Sequence, residues 1–172
     1  MYEAKGIRRE SAGLYTPEQR ARRDATGWTL VQAVLAPLQF CVFLISAWLV
    51  VRFLMTGEGY VLATGSIIAK TGLLYLIMVT GCLWEKAVFD QYLFARPFFW
   101  EDVFSMAVLA LHTAYLAGLI TAALSPRALM LLALAAYASY VINAAQFLLK
   151  LRAARRSAPV LSTSTPLSVS ST

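Results

Sequence analysis

The chain has 172 residues, 59% of them hydrophobic and only 14% charged, with a mean hydropathy of +0.65. Soluble domains carry roughly 45–50% apolar and about 25% charged residues, so this composition excludes an ordinary soluble domain, a disordered chain and a secreted disulfide scaffold. The net charge of +6 is no nucleic-acid signature, because the cations sit at the ends of long apolar runs.

A helix needs about 20 mostly apolar residues to cross a bilayer core. Four stretches reach that length, at about 28–54, 62–84, 103–124 and 128–149. Runs this long are too long for barrel strands, and backbone groups in lipid must be satisfied within the segment. The expected fold is therefore all-α, an integral membrane four-helix transmembrane bundle. The sequence divides into a basic N-terminal segment (1–27), the four-helix domain (28–150) and a tail (151–172) that starts basic and then becomes rich in Ser, Thr and Pro, as disordered segments are. Thr56, Gly57, Glu58 and Gly59 read as the turn of a first hairpin, and Ser125, Pro126 and Arg127 as that of a second. The first run exceeds the h-region of a signal peptide and is expected to be retained.

Lysine and arginine set the orientation. Lys5, Arg8, Arg9, Arg20, Arg22 and Arg23 precede the first span, Lys86 and Arg96 lie between the second and third, and Lys150, Arg152, Arg155 and Arg156 follow the fourth. Arg52 and Arg127 alone fall on the opposite side, which makes both termini cytoplasmic. Lys70 falls within the second span near its outer end, where a lysine can snorkel. Cys41 and Cys82 lie inside spans without metal-ligand spacing and read as small apolar core residues.

Ionisable groups inside a span raise a functional question. In the third helix Glu101, Ser105, Val108, His112 and Tyr115 recur at the 4-3-4-3 spacing of one face. Glu101 and Asp102 stand at its start, where the helix dipole favours carboxylates. Glu101 and His112 are about 16 Å apart along the axis, so they cannot touch each other, although a planar ligand could touch both. Gln32 and Gln39 share a face of the first helix on either side of Pro37, Ser139, Asn143 and Gln146 share one of the fourth, and Trp84 and Glu85 end the second. Antiparallel packing predicts a polar pocket of Gln32, Glu85, Glu101, Asp102, Asn143 and Gln146, open toward the cytoplasm. The amides read equally as interhelical hydrogen-bond partners, the carboxylates as N-terminal helix residues, and His112 as bonded to a nearby carbonyl. The aromatic segment 89–100 (FDQYLFARPFFW) suits either the headgroup level or the mouth of a site for a flat ligand.

The stretches YTPEQRARRDATGWTLVQAVLAPLQF (15–40), TGEGY (56–60), IMVTGCLWEKAVFDQYLFARPFFWEDVFSM (77–106), LALHTAYLAGL (109–119) and YVINAAQFLLKLRAAR (140–155) closely resemble the vinyl bacteriochlorophyllide hydratases. The resemblance covers about 15–155. It implies a hydro-lyase of the inner membrane of a phototrophic bacterium that adds water to the ring-A vinyl group of chlorophyllide a, giving a 1-hydroxyethyl group. Such a reaction requires a general acid, a group that orients water and a dry planar slot. Glu85, Glu101 and Asp102 are the acid candidates. His112 is a candidate either for acid–base work or as axial ligand to the substrate's own magnesium. Gln32, Gln39, Trp84, Tyr115, Asn143 and Gln146 are candidate pigment contacts, and Arg96 or Lys86 a candidate partner for the substrate carboxylate. No redox cofactor and no protein-bound metal is expected. The expected partners are the chlorophyllide, the lipid bilayer and, because four helices are slim for enclosing a macrocycle, a second copy or a neighbouring pathway enzyme. A non-catalytic pigment-binding or assembly protein is the rival reading; a proton or solute carrier ranks below it.

Overall fold

A computed structural model describes residues 14–156, and within them five helices in one chain-order series: α1 (Pro17–Ala25), α2 (Gly27–Thr56), α3 (Tyr60–Phe89), α4 (Phe99–Ile120) and α5 (Pro126–Arg156). Helices α2 to α5 contain the four stretches long and apolar enough to cross a membrane. The expected disordered tail beyond residue 156 lies outside the described residues.

Helix α1 falls inside what the sequence reading left as an undivided basic segment. Its start is written in Thr16, Pro17 and Gln19. The Thr16 side chain accepts from the Gln19 N–H, the Gln19 side chain accepts from the Thr16 N–H, and Pro17 opens the first turn. The α2–α3 turn needs two glycines because Gly57 and Gly59 both adopt the left-handed conformation, with φ of 76° and 81°. The second hairpin turn sits earlier than expected. Helix α4 stops at Ile120, Ala122 takes a positive φ of 52°, and Pro126 belongs to α5 as its first residue. Helix α5 continues past residue 150 to Arg156, so the expected domain limit at 150 does not coincide with a helix end.

Two close-packed antiparallel hairpins, α2–α3 and α4–α5, build the bundle and meet each other more sparsely. The register is consistent along its length. Trp84 meets Thr29, Gln32 meets Thr80 and Ser46 meets Ser66 across α2–α3, while Asn143 meets Ser105 and Lys150 meets Glu101 across α4–α5. Helix α1 lies against α3 at the end of the bundle where the described residues begin and end, here called the terminal end.

The polarity of the bundle is inverted relative to a soluble protein. Leu30, Trp48, Met55, Val61, Ile120 and Leu148 point outward, whereas Gln39, Ser46, Lys70, Thr80, Glu85, Glu101, Asp102, Ser105 and His112 are buried. Lipid accepts apolar side chains and leaves polar ones to find partners inside. Cys41 is exposed on this outer surface rather than in the core. The apolar core proper lies toward the hairpin turns, around Val50, Ala63, Ile67, Tyr115, Met130 and Ala133.

Candidate active site

The stripe read on α4 is its buried face: Glu101, Asp102, Ser105, Val108, His112, Tyr115 and Gly118 all turn inward. At the terminal end this face meets the last turns of α3 and α5. Glu85, Glu101 and Asp102 are 6%, 5% and 5% exposed. The Glu85 and Asp102 carboxyl groups face each other across α3 and α4. Each accepts a backbone N–H from the α3–α4 loop, Asp102 Oδ2 from Phe94 at 2.7 Å and Glu85 Oε2 from Ala95 at 3.3 Å. Phe94 takes a φ of 60°, a strained conformation for a bulky residue. Strain of this kind is held by its surroundings, here by two N–H groups aimed at two carboxyls.

Glu101 is partnered differently. Its Oε2 lies 2.5 Å from Lys150 Nζ, which also donates to the Pro97 carbonyl and sits 5.1 Å from the Phe98 ring centroid. Glu101 is thus neutralised, while Glu85 and Asp102 face each other. Lys150 is the residue that sequence reasoning missed, because it was counted only as an orienting cation.

The expected opening toward the cytoplasm is not present: the cluster is covered. Phe98, 3% exposed, is the hub of an aromatic cap in which Tyr15, Trp84, Phe89 and Phe147 lie within 6.3 Å of its ring. Trp84 also donates to Thr29 at 3.0 Å. Outside this cap Tyr92, Phe94, Phe99 and Trp100 remain exposed, as aromatics at a headgroup level are. The segment 89–100 thus divides into buried cap residues and exposed aromatics.

The amides separate. Gln32 donates to Thr80 Oγ1 at 2.8 Å and joins α2 to α3. Asn143 donates to Ser105 Oγ at 2.8 Å, but its Oδ1, the Gln146 Oε1 and both amide atoms of Gln39 have no protein partner. The Phe43–Tyr140 and Ser46–Tyr137 contacts fix the α2–α5 register and put Gln39 one turn nearer the terminal end, at the depth of Asn143. Buried amides left this way are ordinarily satisfied by water or ligand. Tyr115 lies far from this level, in the apolar core facing Thr64. Arg96 is exposed on the loop, and Lys86 donates to the Asp90 carboxylate at 2.6 Å. The Lys86 ammonium holds the Asp90 carboxyl below its ordinary range.

His112 and Lys70 form a second polar centre at mid-bundle. His112 Nδ1 lies 2.8 Å from the Val108 carbonyl, which only accepts, so the proton is on Nδ1 and Nε2 faces Lys70 Nζ at 3.3 Å. Both ring nitrogens of His112 are engaged in this arrangement. Lys70 does not snorkel. It is 0% exposed, turned into the convergence of all four long helices. The sequence suggested a lysine near the outer end of its span; neither its mid-bundle level beside His112 nor the face on which it stands is legible there. Among the described residues no group of three or more His, Cys, Asp or Glu side chains is arranged to hold a metal ion.

A helical bundle with four potential membrane spans and a cluster of buried carboxyls at one end has the character of a membrane protein with a polar site inside it. Residues 15–153 match the family model described as 2-vinyl bacteriochlorophyllide hydratase, and the chain belongs to that family. It is 68% identical over 143 residues to the 2-vinyl bacteriochlorophyllide hydratase of Cereibacter sphaeroides, covering 83% of this chain and 88% of that one. To the protein of that name from Rhodobacter capsulatus it is 69% identical over 142 residues, covering 83% and 82% of the two chains. No solved structure matches the chain.

Proposed function

We propose that this protein is a hydro-lyase that adds water across the ring-A vinyl group of a chlorophyllide in bacteriochlorophyll synthesis, with the Glu85–Asp102 pair as its proton source. Family membership at this identity supports the reaction. The observation that carries the site is the placing of two buried carboxyls side by side on the adjacent N–H groups of Phe94 and Ala95, an arrangement in which like charges favour one shared proton.

The chemistry follows from that pair. The shared proton passes to the terminal vinyl carbon, and positive charge develops on the adjacent carbon, where the conjugated macrocycle delocalises it. The pair, now without its proton, stabilises the cation across a short low-dielectric gap. A water held by the unpaired amide atoms of Gln39, Asn143 and Gln146 attacks the cationic carbon and returns a proton to the pair. Atoms balance, the catalyst regains its starting state, and no electron is transferred to or from a cofactor. Magnesium is part of the substrate. Admission requires the sparse α2–α3/α4–α5 interface or the loop 90–98 to part. The protein works in the bacterial inner membrane with both termini cytoplasmic, so that the aromatic cap faces the inner leaflet.

Purified Glu85→Gln and Asp102→Asn proteins, incubated with chlorophyllide a, test this. Each substitution removes an ionisable member of the pair, and hydration, followed by the blue shift of the product, is expected to fall roughly 10²- to 10⁴-fold with pigment binding retained. Unchanged turnover in both would remove the pair from the mechanism. Pigment binding without hydration by the unaltered protein would favour the assembly-protein reading.

A further inference from the structure

Lys70 is unexplained by the hydration mechanism. An ammonium group in a lipid-embedded bundle is costly unless an anion or a set of strong acceptors accompanies it. The neighbours of Lys70 are all neutral: the His112 ring at 3.3 Å, and the rings of Tyr140, Tyr137 and Phe43 with centroids 4.2, 5.2 and 5.9 Å from Nζ. Among the described residues the ion pairs involve other cations, and no carboxylate lies within pairing distance of Lys70. The fixed His112 tautomer takes one of the three N–H donors of the ammonium. Two remain for a ligand.

Position supplies the rest. Lys70 stands on the α2–α3 hairpin and His112 on the α4–α5 hairpin, so the amine lies in the same inter-hairpin seam as the Glu85–Asp102 pair. Asp102 and His112 are ten residues apart on α4, about 15 Å along its axis. A chlorophyllide is a free acid, with its propionate arm on a ring next to the one that bears the vinyl group. Resting on the hydratase reading, we propose that Lys70, oriented by His112, is the anchor for the carboxylate of the substrate. It holds the acid arm at mid-bundle while the vinyl group meets the carboxyl pair at the terminal end. The anchor selects the free acid over its esters, and the cationic candidates on the loop, Lys86 and Arg96, have no part in it.

The test compares the pigment acid with its methyl ester, which removes the anion and keeps the macrocycle. The unaltered protein is expected to show a KM for the acid roughly ten- to a hundredfold below that for the ester, the factor a charged hydrogen bond provides. In Lys70→Met, an unbranched apolar replacement, KM for the acid is expected to rise to that for the ester, so that the variant no longer distinguishes the two substrates. A purely structural lysine would affect both substrates together. Equal KM values for acid and ester in the unaltered protein overturn the proposal without any variant, and so does a Lys70→Met protein that keeps its preference for the acid. Hydration of both pigments with no discrimination leaves the hydratase reading standing, whereas hydration of neither removes both.

Discussion

At the scale of single residues, the terminal end of the bundle separates three buried carboxyls into two kinds. Glu85 and Asp102 lie side by side and each accepts a loop N–H, while Glu101 depends on one ammonium. Removing one partner of a buried ion pair leaves an uncompensated charge, at a cost of several kcal/mol when fully dry. Lys150 keeps some contact with the exterior, its side chain 26% exposed, which moderates the penalty. Lys150→Met is therefore expected to destabilise the protein by about 2 kcal/mol, read as a lowered unfolding temperature in detergent. Adding Glu101→Gln should restore most of the loss, because the pair is then removed as a unit. This contrast also shows what was legible. The 4-3-4-3 stripe fixed which α4 residues face inward, since helical period alone determines a face. It could not distinguish a carboxyl with a cation from one without, because Lys150 and Lys70 belong to other helices whose rotation the stripe does not constrain.

At the scale of elements, the four long helices were readable because apolar length is a continuous signal, and their ends were less so. Apolar residues 122–124 look helical in sequence, yet the chain turns there through the positive φ of Ala122 with no glycine to announce it. Helix α1 had a signal, the Thr16–Gln19 capping box with Pro17, which hydropathy does not register. Its position gives it a task. Tyr15, immediately before the cap, stacks on Phe89 at 5.9 Å and reaches Phe98 at 6.3 Å, and Arg23 lies over the Tyr15 ring at 5.0 Å. Burial pushes the Tyr15 phenol up. The cap residue thus positions one wall of the aromatic cover above the carboxyl pair. Thr16→Ala is expected to weaken α1 by about 1 kcal/mol. Trypsin cleavage at Arg20, Arg22 and Arg23 should then quicken about fivefold, since cleavage follows the open population; equal digestion rates would show that α1 is held by its ring contacts alone.

At the scale of the whole molecule, the interior joins a polar seam between two hairpins to an apolar core that all four long helices share toward the hairpin turns. Glu85 meets Asp102, Lys70 meets His112 and Ser46 meets Tyr137 at 2.5 Å, each pair drawing one residue from each hairpin. Hydrogen bonds between membrane helices contribute modestly, about 0.6 kcal/mol on average. Such a seam can open at low cost, which a bulky, flat substrate requires. It also closes around groups that only a dry site makes reactive. Direction across the membrane then decides from which side pigment and protons come. The basic residues flanking the spans crowd the terminal end, with Arg52 and Arg127 alone at the hairpin turns, and positive charge resists translocation. A fluorescent protein fused after Thr172 is therefore expected to fold and fluoresce in the cytoplasm. Alkaline phosphatase inserted at Glu58, in the α2–α3 turn, is expected to be active in the periplasm. The reverse pattern would place the carboxyl pair and its aromatic cap at the outer leaflet, away from a pigment supply in the cytoplasm.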